Sequence, residues 1–257
     1  MRNFNSNRFL QTLKWNIVTE KKTLFTHTLA FVAAFLLIQL SYIGVVNMFQ
    51  EPDPKSVTIA MTTSISIIFL LTAYYASGIL GNARTKEQRT TMLLLPATNA
   101  EKYWARMVYV LVIIPLLIVA ALVAATLLRM GIQLLLGHEY IVFGLNMMAD
   151  GDGPDFLSTL LGLLFMNSLF VLGGVLFNKH PFIWTWVCVM GFILALSLVG
   201  GLILKLLLPA GQHIYLMINI PHFIGDLVSI ALTVFNVWLS YRLFCRLQIV
   251  QHKWFNV

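Results

Sequence analysis

The residues whose grouping could do chemistry lie at positions 84–106, where Arg84, Lys86, Arg89, Lys102 and Arg106 meet two acids, Glu87 and Glu101. In the middle sits an apolar ridge, Met92-Leu93-Leu94-Leu95, closed by Pro96. Such a set makes no covalent bonds. It offers charge-assisted contacts around a hydrophobic anchor, which is the chemistry of docking a partner. Thr98 followed three residues later by Glu101 predicts a capping box that opens the next helix.

Bond-making constellations do not accompany it. The sequence has no GxxxxGK[ST], no HExxH and no GxSxG, so it offers no phosphate cradle, zinc-protease pair or nucleophile elbow. His27, His138, His180, His213, His222 and His252 are scattered without metal-ligand spacing, and Cys188 and Cys245 read as packing residues. Asp226, the one ionisable residue beside a span, reads as a solvated acid at a helix N-terminus, where it complements the helix dipole. Catalysis by this chain is not expected, nor is a cofactor or metal within it.

The elements that must position residues 84–106 are membrane spans. Of 257 residues, 59% are hydrophobic and 11% charged, against about 25% charged in soluble domains. The net charge of +7 is carried in short segments beside apolar runs, so it reads as a topology signal rather than a nucleic-acid surface. Residues 1–22, with Phe9, Leu10, Leu13 and Ile17 at helical spacing, predict an amphipathic interfacial helix. Spans follow at 26–49, 56–80, 107–128 (with Pro115 inside), 156–177, 182–204 and 226–244. Residues 129–155 read as an outer loop. Residues 205–225, broken by Pro209, Gly211 and Pro221, read as short outer helices that lie on the surface or re-enter.

The fold class is therefore all-α integral membrane, one domain over 1–257. With the N-terminus inside, all of the seventeen Lys/Arg except Lys55, Arg129 and Lys205 fall on the cytoplasmic side, and all of the ten acids except Glu20, Glu87 and Glu101 fall outside. This asymmetry predicts six spans in the cytoplasmic (inner) membrane with both termini cytoplasmic. Within the spans Gln39, Thr62, Ser66, Asn167 and Asn236 either pack helix on helix or line a pathway; packing is the favoured reading.

In this layout, and in the run Arg89-Thr90-Thr91-Met92-Leu93-Leu94-Leu95-Pro96-Ala97-Thr98 followed by Glu101-Lys102, the chain resembles the permease subunits of type-2 ABC exporters, especially a subgroup of small members. The motif likeness is confined to residues 84–106, and Thr90 stands where many members have glycine. The resemblance implies a coupling helix between spans 2 and 3. Arg84, Lys86, Glu87, Arg89, Thr91, Met92, Leu93, Leu94, Leu95, Pro96, Glu101 and Lys102 would then dock a separate ATPase subunit, which binds ATP and Mg. It further implies a homodimer, or a heterodimer with a related permease, forming the pathway. The alternative is a non-transporting polytopic scaffold or immunity-type protein. Cargo is not readable from fold analogy.

Overall fold

A computed structural model describes residues 4–43, 54–81, 86–135, 156–207 and 222–246. They form α1 (Ser6–Ile43), α2 (Pro54–Ser77), α3 (Lys86–Leu94), α4 (Asn99–Val108), α5 (Ile114–Leu135), α6 (Phe156–Leu176), α7 (Pro181–Leu207) and α8 (His222–Cys245), with a π-helical turn, Tyr109–Ile113, joining α4 to α5. Six helices among the described residues are long and apolar enough to cross a membrane: Ser6–Ser41, Ile59–Ser77, Asn99–Leu135, Leu157–Leu176, Pro181–Gly201 and Phe223–Cys245. The protein is an all-helical, multi-pass membrane protein. Its packing forms two compact units, residues 1–76 with 95–155 and residues 77–94 with 156–257.

Two elements differ from the sequence expectation. The interfacial helix expected over 1–22 is not a separate element: α1 runs unbroken for 38 residues. No glycine or proline interrupts Ser6–Ile43, so nothing ends the helix between the two halves. At 1.5 Å per residue α1 is about 57 Å long, nearly twice the ~30 Å of a hydrocarbon core. The third span likewise extends to Leu135, so Arg129 is not in a loop but on α5, where it is buried. The remaining outer-segment expectations, at 136–155 and 208–221, lie outside the described residues.

Pro115 explains the π turn. It has no N–H and its ring crowds the preceding carbonyls. The chain widens just before it, and the Ile114 N–H bonds Tyr109 O five residues back. A local π adjustment of this kind lets a helix pass a proline without ending. In the first unit α1 packs along α4 and α5, and the inward stripe of α5 is Ile118, Ala121, Ala125, Arg129 and Gln133.

In the second unit α6 packs against α7 and α8. Two polar rungs tie α6 to α8: Ser158 Oγ donates to Asp226 Oδ2 at 3.2 Å and Asn236 Nδ2 to Ser168 Oγ at 3.1 Å. Both pairs are 68 residues apart in the chain, so the helices run parallel in fixed register. His180, at φ 47°, turns the chain so that Pro181 can open α7.

Gly173 and Gly174 are required by close approach. A Cβ at Gly174 would sit 2.4 Å from Ser77 O, and one at Gly173 would sit 1.7 Å from Thr185 Oγ1. Gly174→Ala is therefore expected to cost about 1–3 kcal/mol by overpacking. Gly191→Ala, where a Cβ meets nothing within 4 Å, should stay within about 0.5 kcal/mol of wild type. Thermal unfolding of both variants in the same detergent checks this.

Candidate functional site

Residues 86–106 fold as the short helix α3, a turn, and the start of α4. Thr98 is the N-cap of α4: its Oγ1 accepts from the Glu101 N–H at 3.3 Å, and its own N–H donates to Glu101 Oε2 at 2.7 Å. The capping box read from the sequence is formed. The Ala97 N–H donates to Leu95 O at 2.8 Å, which tightens the turn around Pro96. Proline and capping box together stop α3 and start α4 within four residues.

Exposure divides the candidate docking residues. Glu87 and Thr91 are exposed, and the Thr91 hydroxyl is bonded to Glu87 O at 3.0 Å. Leu94 is 77% exposed and Pro96 is exposed, while Met92 and Leu95 are half-buried. Arg84 lies outside the described residues, and so do the side chains of Lys86, Arg89 and Leu93. Glu101 and Lys102, read from the sequence as docking residues, turn inward and are buried. Their place is in the packing of α4, not on its surface.

Glu101 has a second set of contacts that the sequence did not reveal. Its Oε1 accepts from the Asn5 N–H at 2.7 Å and lies 3.1 Å from Arg8 Nη2. Asn5 in turn caps α1, its Oδ1 accepting from the Asn7 N–H at 2.9 Å. One carboxylate thus bonds the N-cap residues of both α1 and α4, where two helix dipoles favour negative charge. Further along the same helices, Glu20 Oε1 accepts from Arg106 Nη1 at 2.9 Å, and Glu20 Oε2 accepts from the Tyr109 hydroxyl. The Arg106 guanidinium also lies over the Tyr109 ring, 4.9 Å from its centroid.

These contacts come from one ridge of α1. Thr12 and Asn16 are buried between Arg8 and Glu20, so the inward residues recur every four positions, an i, i+4 ridge. The apolar set Phe9, Leu10, Leu13 and Ile17 flanks that ridge instead of forming it, and Leu10 is exposed. The signal was present in the sequence as four polar residues at four-residue spacing. It was obscured by the more familiar apolar periodicity.

The candidate pathway residues separate as well. In the first unit Gln39 is fully buried, whereas Thr62 and Ser66 are exposed on α2, with the Ser66 hydroxyl bonded to Thr62 O at 2.9 Å. In the second unit Asn167 and Asn236 are buried, and Asn236 makes the rung to Ser168. Comparison with known proteins adds no relative: no family model matches the chain, and no curated protein or solved structure matches it.

The ion-pair geometry predicts a measurable coupling. A double-mutant cycle of Glu20→Gln and Arg106→Met, read by thermal unfolding, should give an interaction of about 0.5–3 kcal/mol. Glu101→Ala should expose residues 4–20 to proteolysis while leaving the protein inserted in the membrane. Strict additivity of the first pair, or an unaltered cleavage pattern in the second case, would contradict the assignment.

Proposed function

We propose that this chain is the membrane-spanning subunit of an ATP-driven exporter of the ABC type, working as a dimer with a separate ATPase subunit docked on residues 84–96. The observation that carries the reading is the connector between the second and third spans: a nine-residue helix ending on the exposed Leu94, followed by the exposed Pro96 and a capped helix. An ATPase that closes on ATP needs a stiff handle on the membrane helices. A short helix with an exposed leucine at its end suits that task, because a buried aliphatic anchor supplies much of the energy of a small interface.

The packing of the first unit supports the same reading. A push on the turn at Pro96 reaches α4 through the capping box, and α4 continues through the π turn into α5 as a helix of 37 residues. The Glu101 and Glu20 contacts carry α1 with it. The charge asymmetry of the sequence supports a cytoplasmic position for the connector and both termini, in the inner membrane. ATP and Mg belong to the partner in this reading, and the cargo is left open.

Purification in mild detergent from the native host tests the proposal. An ABC-type ATPase should co-purify in roughly equal amount, and Leu94→Asp should reduce its recovery about tenfold, the equivalent of about 1.4 kcal/mol, without lowering the amount of inserted permease. Recovery of the chain without any nucleotide-binding protein, even after gentle crosslinking, would overturn it.

A further inference from the structure

The last span carries a face that its packing does not use. On α8 the inward residues Asn236, Ser240 and Phe244 are buried at four-residue spacing, and Asn236 bonds α6. The opposite side is a ladder of another kind. Phe235 and Trp238 are 53% and 48% exposed, with their rings 6.1 Å apart. One turn further on, the Arg242 guanidinium lies over the Trp238 indole, 4.5 Å from the ring centroid. Arg246 closes the helix, its N–H donating to Leu243 O at 3.0 Å. Trp238, Arg242 and Arg246 thus form one ridge, each about 6 Å from the next along the axis, and both arginines are exposed.

Neither arginine is in an ion pair or a side-chain hydrogen bond among the described residues, and no Asp or Glu follows Asp226 in the sequence. Two guanidinium groups four residues apart on one helix face repel each other. An arginine that only served the helix dipole would sit by the last carbonyls, and one that only sought water would extend past the helix end. Arg242 does neither: its guanidinium leans back over Trp238, towards the apolar length of the span. An exposed indole beside apolar side chains belongs at the level of the lipid headgroups, so the guanidinium is held at that level too. The anion present there is the lipid phosphate, which accepts paired N–H bonds from a planar guanidinium.

We propose that the ridge Trp238–Arg242–Arg246 binds the headgroup of an anionic phospholipid, with Arg242 and Arg246 donating to its phosphate and Phe235 and Trp238 lying along its acyl chain. Charge selects the lipid class. An ethanolamine headgroup would bring an ammonium group beside two guanidinium groups, whereas a glycerol headgroup brings no cation. A free phosphate would meet the arginines but leave Phe235 and Trp238 uncovered. The inference uses the membrane-spanning fold alone and stands apart from the ATPase reading.

The test uses the full chain in nanodiscs containing equal phosphatidylglycerol and phosphatidylethanolamine, with retained lipid counted by native mass spectrometry. Wild type should retain phosphatidylglycerol over phosphatidylethanolamine at least about fivefold, the scale of one basic side chain at an anionic surface. Arg242→Gln should lower that ratio at least about threefold, and Lys179→Gln should leave it unchanged. Lys179 is exposed in the turn after α6, and the parallel register of α6 and α8 puts it at the same end of the unit. The two variants therefore lose the same charge at one membrane face, and only the first loses it from the ridge. Arg246→Gln gives the same readout should Arg242→Gln fail to insert. An equal fall in the Arg242 and Lys179 variants would reduce the effect to general charge attraction and overturn the proposal. So would a wild-type ratio near one, with stabilisation by inorganic phosphate alone assigning the arginines to a free anion. Loss of a dimer in Arg242→Gln with the lipid ratio intact would overturn it too, and give the ridge to a second copy of the chain.

Discussion

One carboxylate, that of Glu101, holds the starts of two helices. It receives the N–H groups of Asn5 and Thr98 and lies beside the Arg8 guanidinium, and it is fully buried while doing so. A buried anion is tolerated only when its lone pairs are filled and an opposite charge is near. Here the donors are the N-cap residues themselves, so the same bonds that satisfy Glu101 fix where α1 and α4 begin. Glu20, Arg106 and Tyr109 repeat the arrangement further along. Because each helix contributes one cation and one anion to these pairs, in opposite order, sliding α1 along α4 would separate both pairs.

The rest of the molecule answers to a different solvent. In hydrocarbon each polar group must find its partner within the protein. Most span hydroxyls do so on their own helix: Thr63, Ser64 and Ser66 of α2 each bond the carbonyl four residues back. Where a side chain cannot reach its own backbone it marks a helix–helix contact instead, as Gln39 does with Thr126 and Asn236 with Ser168. Such contacts set register, which apolar packing in lipid specifies poorly.

Much of this was legible in the sequence, for physical reasons that differ by element. Spans are legible because twenty apolar residues have few other uses, and the capping box is legible because its partners are three residues apart. The unbroken α1 was also written in the sequence, as an absence of glycine and proline, but the change from a basic half to an apolar half invited a division that no breaker enforces. Burial of Glu101 was not legible, since its second partner Asn5 is 96 residues distant. The same holds for Gly174, whose need for a bare Cα depends on Ser77 O approaching from a different helix. Periodicity sees one helix at a time.

Leu94 is exposed where an apolar residue gains nothing from water, while the turn beyond it is locked to α4 and, through Glu101, to α1. The proposed docking role draws on the first, and the proposed transmission to the spans on the second. The most direct measurement is a photo-crosslinking amino acid placed at Leu94 in native membranes. The account predicts a covalent adduct with a nucleotide-binding ATPase, at much higher yield than from the same probe at Leu196 on α7. Adducts with lipid alone from position 94, in a protein that is fully inserted, would contradict it.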